Sequence, residues 1–253
     1  MDDLGARAAS RRRAIGILAD ARRAFWAARR GERTLDQLGL WHGADKSSAG
    51  HGFTEIYERY LADRRRSPVT VLEIGVWRGA SLRMWRDYFP RGRIFGIDIS
   101  PITAAQSSDR VEVFVGDQSD PALLARVVER TGPLDLVIDD GAHRVEQQVP
   151  TLAFLWPHVK PGGLYVVEDT HTSYLESYGM GWRQPGTTIA HLTGYVDDLH
   201  RGWHEHAASC PDLAFVHFYA GTCVLGKAEP THRPPVLARL DALAARRSGA
   251  WTG

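Results

Sequence analysis

Residues 69–81 read VTVLEIGVWRGAS: an apolar, β-branched run ending at Glu73 and Ile74, a turn carrying Gly75 and Gly79, then the start of a segment with helical spacing. A strand that passes through a glycine turn into a helix is the opening unit of a parallel α/β sheet. Gly75 and Gly79 let the backbone turn tightly beneath a ligand, and the helix beyond offers free N–H groups to an anion. A dinucleotide-binding turn carries a further glycine between these two; here it is absent, so close approach to a pyrophosphate is not provided.

The pattern repeats outward from this unit. Short apolar runs follow at Arg93 to Ile99, Val111 to Val115, Leu134 to Ile138 and Leu164 to Val167. Between them Ser81 to Tyr88, Pro121 to Arg130 and Pro150 to His158 are each long enough for a crossover helix. Near the end, Leu213 to Tyr219 and Thr222 to Leu225 are separated only by Ala220-Gly221, which predicts an antiparallel hairpin. The fold expected is α/β: a doubly wound, Rossmann-like sheet of five alternating strands closed by that hairpin, seven strands in all, with helical decoration at both ends. Nine arginines against four acids in residues 1–33, with Ile15, Leu18 and Phe25 at helical spacing, predict an amphipathic helix that packs on the domain or on a partner chain. Nucleic-acid binding is the sharper alternative there, set against an apolar opposite face. Ile189, Leu192, Val196, Leu199 and Trp203 predict a helix with one buried stripe; Val236, Leu237, Leu240 and Leu243 predict a short tail helix. The divisions expected are a helical extension at 1–40, one domain at 41–228 with an insertion at 170–209, and a tail at 229–253.

Composition narrows the class. At 253 residues, 43% hydrophobic and 24% charged, the chain has the apolar content for a large core and is not disordered. No apolar run approaches the ~20 residues that span a bilayer, and the arginine-rich start lacks a signal-type hydrophobic stretch, so a cytoplasmic protein without a membrane partner is expected. Cys210 and Cys223 have no metal spacing and read as two reduced thiols. A net charge of +1 provides no global field to recruit nucleic acid.

The strand ends carry the chemistry. Asp98 ends the second strand, 25 residues after Glu73, where a carboxylate can accept both hydroxyls of an adenosine ribose. Val115-Gly116-Asp117-Gln118 ends the third, with an acid where an adenine would lie. Helix capping is the alternative for Asp98 and Asp117 taken singly. Ligands bind outside the carboxyl ends of such strands, so these groups share one crevice. A ligand with ribose, adenine and carboxylate but no phosphate fits it, which makes S-adenosylmethionine the expected cofactor. The expected cofactor-binding residues are Glu73, Gly75, Gly79, Ser81, Asp98, Asp117, Gln118 and Asp139.

The fourth and fifth strands end in Asp139-Asp140-Gly141-Ala142-His143 and Glu168-Asp169-Thr170. Adjacent strand ends bring Asp140, Glu168 and Asp169 close together, and three such carboxylates repel unless something positive lies between them. A divalent cation with oxygen ligands, Mg²⁺ or a relative, answers that need; helix capping or pairing with Arg144 or Arg183 is the alternative. His143, three residues past Asp140, has a pKa suited to taking a proton near neutrality, with His171 as the rival base. An alcohol is a poor nucleophile until a metal polarises it or it loses its proton, so Asp140 beside His143 points to methyl transfer onto a hydroxyl oxygen.

Taken together, the E-x-G-x-x-x-G turn, the acid ending the second strand and the closing hairpin resemble class I methyltransferases over Val69 to Lys227. More narrowly, Asp139-Asp140-Gly141-Ala142-His143 and Glu168-Asp169-Thr170, with Asp45-Lys46-Ser47 and His51-Gly52-Phe53-Thr54-Glu55-Ile56-Tyr57 upstream, resemble the metal-dependent deoxysugar O-methyltransferases of macrolide and polyketide pathways. The resemblance covers residues 41–228. It implies Mg²⁺ held by Asp140, Glu168 and Asp169, His143 as general base, and a glycosylated natural product with a rhamnose-like sugar as acceptor. Family members cover the acceptor with the segment after the fifth strand, which assigns His171, Tyr174, Tyr178 and Trp182 to substrate binding, while Tyr195 and Trp203 fill the core. Lys46 and Tyr57 are expected to line the cofactor pocket. Longer members carry an extra N-terminal domain, for which the forty residues before Trp41 are too few; a homo-oligomer is expected. The rival readings are a catechol-type methyltransferase and a non-catalytic protein of the same fold.

Overall fold

The structure is a computed structural model that describes residues 32–204, 206–210 and 212–229. The arginine-rich N-terminal helix and the tail helix expected from the sequence lie outside the described residues. Seven strands, β1 (Thr70–Ile74), β2 (Arg93–Asp98), β3 (Val111–Val115), β4 (Leu134–Asp139), β5 (Val159–Glu168), β6 (Leu213–Tyr219) and β7 (Thr222–Lys227), form one sheet in the order β3-β2-β1-β4-β5-β7-β6. The first five run parallel, and β7 inserts antiparallel between β5 and β6, as the Ala220-Gly221 turn predicted. The strand order reverses between β1 and β4, which opens a crevice outside their carboxyl ends.

Alternation along the strands decides what lies on each face. Val71, Ile138 and Val166 pack against α1 (Leu35–His42), α2 (Phe53–Leu61) and α3 (Ala80–Tyr88). Leu72, Val137, Tyr165 and Val167 pack against α4 (Pro121–Thr131), α5 (Val145–Leu155) and α6 (Thr188–Leu199). Tyr57, Trp85 and Tyr88 are fully buried on the first face, each worth roughly 1.5–3 kcal/mol of apolar burial. By the same parity the side chains of Glu73 and Glu168 fall on the α1–α3 face, and that of Asp139 on the other.

Local signals set several boundaries. Thr34 and Gln37 close a capping box on α1; Asp120 caps α4 with Pro121 at its first position. The expected domain start at residue 41 falls inside α1, whose Leu35 and Leu38 are buried in the core. Gly75 (φ +90°) is required where β1 ends, because a Cβ there would stand 2.0 Å from the Asp140 carbonyl oxygen.

Three expectations need correction. The crossover helix expected from Pro150 begins five residues earlier, at Val145, and contains Pro150; the Arg144 carbonyl accepts from Gln148 N at 2.8 Å, so the helix is under way before the proline. β5 starts at Val159, not Leu164, because Val159 pairs with Leu134 across a register shift that tolerates Pro161 and Gly162. The buried stripe of α6 is Thr188, Leu192, Tyr195 and Asp198, rotated from the predicted one; Val196 is 41% exposed and Trp203, expected in the core, 66%. Asp198 is buried because its carboxylate accepts from Cys210 N at 2.7 Å and Ser209 N at 3.2 Å, which turns the helix. Among the described residues no helix is long and apolar enough to cross a membrane.

Candidate active site

A cavity of about 530 Å³ opens at the carboxyl ends of β1 to β4. Of the residues expected around a cofactor, Gly75, Asp98, Asp117 and Gln118 line it. Asp98 Oδ2 accepts the N–H groups of Val76 at 2.8 Å and Trp77 at 2.9 Å, and Oδ1 accepts from Ser100 at 2.8 Å. It therefore pins the glycine turn to the end of β2 and still presents lone pairs to the cavity. Asp117 accepts from the backbone and hydroxyl of Ser119 and from Gln147, which hold its carboxyl below the usual range. Gln118 donates to both oxygens of Asp139 (3.1 and 3.2 Å) and accepts from Ala142 N at 3.0 Å, so it fixes the turn leaving β4. Asp139 itself is fully buried beneath that turn rather than on the cavity wall, and burial pushes its pKa up to about 7.

At the β4 and β5 end of the cavity stand Asp140, His143 and Asp169. One ligand atom from each lies within 4.8 Å of the others. His143 Nε2 is 3.6 Å from Asp169 Oδ2 and 4.0 Å from Asp140 Oδ1. Both His143 (φ +55°) and Asp169 (φ +51°) hold left-handed backbone, a strained state for residues other than glycine that is concentrated where side chains must be aimed. Asp169 Oδ1 is buried and has no hydrogen-bond partner among the described residues. His51 Nδ1 and His171 Nδ1 approach that same oxygen only to 3.9 and 3.8 Å. Ligand atoms ~2.1 Å from a shared hard cation lie at most ~4.2 Å apart, so a small closure of this oxygen-rich group would fit a divalent ion.

The remaining predicted acids are elsewhere. Glu168 is not in that group: Lys46 Nζ lies 2.7 Å from its Oε2, and its Oε1 accepts a short hydrogen bond from the Tyr57 hydroxyl. Lys46 Nζ also lies 2.5 Å from Asp140 Oδ2 and 3.2 Å from Glu73 Oε1. Burial opposes a charge on Lys46, but Glu168, Asp140 and Glu73 outweigh it and hold its pKa well above the usual lysine value. Burial raises Glu73 and Glu168 despite the ammonium, and raises the Tyr57 phenol with help from Glu168. Lys46, Tyr57 and Glu73 are thus brought together beneath the cavity and not onto its wall; Gly79 and Ser81 begin α3, also away from the wall. Trp77 and Ile99 line the cavity without having been assigned to the site in the sequence, and Asp45, quoted there within a motif, had no role given to it. Asp45 precedes Lys46 directly, and that adjacency was the available signal.

Beyond β5 the expected acceptor-binding residues flank the open group. The Tyr178 ring stands edge-on to His143 with centroids 6.3 Å apart, and the Tyr174 and Trp182 rings lie 5.8 Å apart. Tyr174 is 43% and Trp182 72% exposed, an unusual presentation of apolar area in a folded chain. His171 is half exposed.

Residues 72–170 match the family described as "Methyltransferase domain". The chain is 41% identical to an 8-demethyl-8-(2-methoxy-alpha-L-rhamnosyl)-tetracenomycin-C 3'-O-methyltransferase of Streptomyces olivaceus over 76% of this chain and 53% of that protein. It is likewise 41% identical to a mycinamicin VI 2''-O-methyltransferase of Micromonospora griseorubida, over 70% and 46% of the two chains. Among solved structures it is similar to the MycE methyltransferase from the mycinamycin biosynthetic pathway in complex with Mg, SAH and mycinamycin VI: 36% identity, a TM-score of 0.71, 78% of this chain and 55% of that one. The chain spans about half the length of the curated relatives it matches.

Proposed function

From the match of residues 72–170 to the methyltransferase-domain family we propose that the chain is an S-adenosylmethionine-dependent O-methyltransferase acting on a hydroxyl of a rhamnose-like deoxysugar in a glycosylated polyketide or macrolide. The observation that carries the reading is the Asp140–His143–Asp169 group on the wall of a nucleoside-sized cavity, flanked by exposed aromatic rings.

S-adenosylmethionine supplies an electrophilic methyl group, and a divalent cation held by Asp140 and Asp169 supplies charge that acidifies the acceptor hydroxyl. The protein's own groups do the rest. Asp98 and Asp117 hold the adenosine end by accepting hydrogen bonds, and the Gly75 turn leaves room for it. His143 takes the hydroxyl proton at Nε2, and Asp169 Oδ2, 3.6 Å away, stabilises the imidazolium so formed. His171, half exposed, stands outside this step. Tyr174, Tyr178 and Trp182 stack on the acceptor and shield it from water, with 170–209 as the covering segment of the domain. Holding donor and acceptor in line supplies several kcal/mol of the barrier reduction, of the order of 7–11 at most. A cytoplasmic homo-oligomer with no nucleic-acid or membrane partner completes the reading.

A substrate panel tests it. With S-adenosylmethionine and Mg²⁺, rhamnosylated polyketides should gain one methyl group and simple catechols none. Turnover of catechols with none of the glycosides would replace the sugar reading by a catechol-type one. Cofactor binding without methylation of any acceptor, unchanged by Mg²⁺, would leave a non-catalytic protein.

A further inference from the structure

Asp117, on the loop leaving β3, and Gln147, in the first turn of α5, meet on the cavity wall. The donors that reach Asp117 converge on one of its oxygens: Oδ1 accepts from Ser119 N at 2.8 Å, the Ser119 hydroxyl at 2.7 Å and Gln147 Nε2 at 3.0 Å. Its Oδ2 has no hydrogen-bond partner among the described residues. These donors, the Ser119 backbone first, hold the carboxyl below its usual range, so it is ionised and has no proton to give. The Gln147 amide must therefore turn its NH₂ toward Asp117, and its carbonyl Oε1 is left over, also without a partner among the described residues.

Both side chains stand on fixed backbone. Asp120 N donates to the Asp117 carbonyl at 3.1 Å, Gln147 N donates to the Arg144 carbonyl at 3.0 Å, and the Thr151 hydroxyl donates to the Gln147 carbonyl at 2.6 Å. The next residue shows that Gln147 is not needed to seat α5. Gln148 is 2% exposed, and its Oε1 accepts from the Thr188 hydroxyl at 2.8 Å, so it joins α5 to α6. Gln147 faces the cavity instead.

Two acceptors without donors are the complement of a primary amino group, which has two N–H to give. A ring carbonyl in the same place would set its oxygen against both, an unpaired and repulsive contact. Resting on the S-adenosylmethionine reading above, we propose that Gln147 Oε1 and Asp117 Oδ2 together accept the two N–H of the adenine amino group, and that the pair rejects 6-oxo purines. Gln147 serves twice: its Nε2 occupies Asp117 Oδ1 and so leaves Oδ2 for the base, while its own Oε1 is the second acceptor.

The test is calorimetric binding to the full chain of S-adenosylhomocysteine, its 6-oxo counterpart S-inosylhomocysteine, and its N6-monomethyl derivative. The parent should prefer S-adenosylhomocysteine to the 6-oxo compound by about a hundredfold or more, as a site built around an N–H rejects a ligand lacking it. The N6-monomethyl compound, with one N–H replaced, should bind about tenfold more weakly. Gln147→Met keeps the length and helix propensity of the side chain and removes the amide. It should weaken S-adenosylhomocysteine about tenfold and the 6-oxo compound less than about twofold. Equal weakening of both compounds, which a merely structural role would give, overturns the proposal, as does an unchanged affinity for S-adenosylhomocysteine. Should Gln147→Met not fold, the N6-monomethyl compound decides on the parent, and binding within about threefold of S-adenosylhomocysteine overturns the proposal. A parent that binds none of the three brings down the S-adenosylmethionine reading itself, whereas equal affinity for the amino and 6-oxo compounds brings down only the amino-group site.

Discussion

Two acidic groups are built on the same strand ends and have opposite surroundings. Glu73 and Glu168 point under α1 to α3, are sealed from solvent, and face Lys46 and Tyr57. Asp140 and Asp169 point into the cavity beside His143, with Asp169 and His143 on strained backbone and one Asp169 oxygen left without a partner among the described residues. The first group is closed by a lysine and has no room for a reactant; the second is open and electrostatically incomplete. Neighbouring carboxylates thus acquire different work from strand parity and from the side chain that reaches each face.

The difference can be broken by substitution. The largest effect is expected at the open group: His143→Ala should lower turnover by roughly 10²–10⁴-fold, the range for lost acid–base help, with little change in the melting temperature. A variant as fast as the parent at neutral pH would move the base to His171 or to solvent. Asp139 sharpens the comparison from the other face, as a strand-end acid buried without a cation. Its folded-state pKa is raised from 3.8 to about 7, so its contribution to stability is fully present below pH 3.8 and is lost as the pH rises through about 7. Asp139→Asn should remove this loss, about 1.4 kcal/mol per pH unit crossed in that window. Denaturant midpoints of parent and variant at pH 5 and pH 8 check it; parallel behaviour would show that the proton is not held there.

At the sealed group, Tyr57→Phe leaves Glu168 short of a donor and should cost about 1–3 kcal/mol of stability, while turnover of the folded enzyme changes by no more than a few-fold. A large fall in kcat at unchanged stability would join the two groups into one machine. The smallest effect is expected at the rim. Trp182→Ala should raise KM for a glycosylated acceptor about three- to tenfold, as for a lost stacking contact of about 0.5–1.5 kcal/mol, and leave kcat alone. An unchanged KM would remove this ring from the acceptor surface.

Strand-and-helix alternation was legible because it is written locally. β1 to β4 begin and end within a residue or so of the apolar runs, and the Ala220-Gly221 turn marks the hairpin directly. What misled were residues whose role is set from a distance. Pro150 reads as a helix start, yet α5 starts at Val145; the stripe predicted through Val196 leaves out Asp198, which two backbone N–H groups draw inward as α6 rotates. The acids were found as strand ends, but the division between them was not, since adjacency says nothing of facing. Counting by twos from Val71 to Glu73 and from Val166 to Glu168 would have put both beside the core of α1 to α3. The lysine that meets them, Lys46, precedes them in the chain by 27 and 122 residues, and no local pattern predicts that contact.

The central claim is that the open group, and not the sealed one, carries a cation-assisted methyl transfer. The most direct measurement is the mass of a rhamnosylated polyketide after incubation with the protein and S-adenosylmethionine, in Mg²⁺ or in EDTA. The account predicts a gain of one methyl group in Mg²⁺, its loss in EDTA and its return when Mg²⁺ is restored. A gain undiminished by EDTA would contradict it.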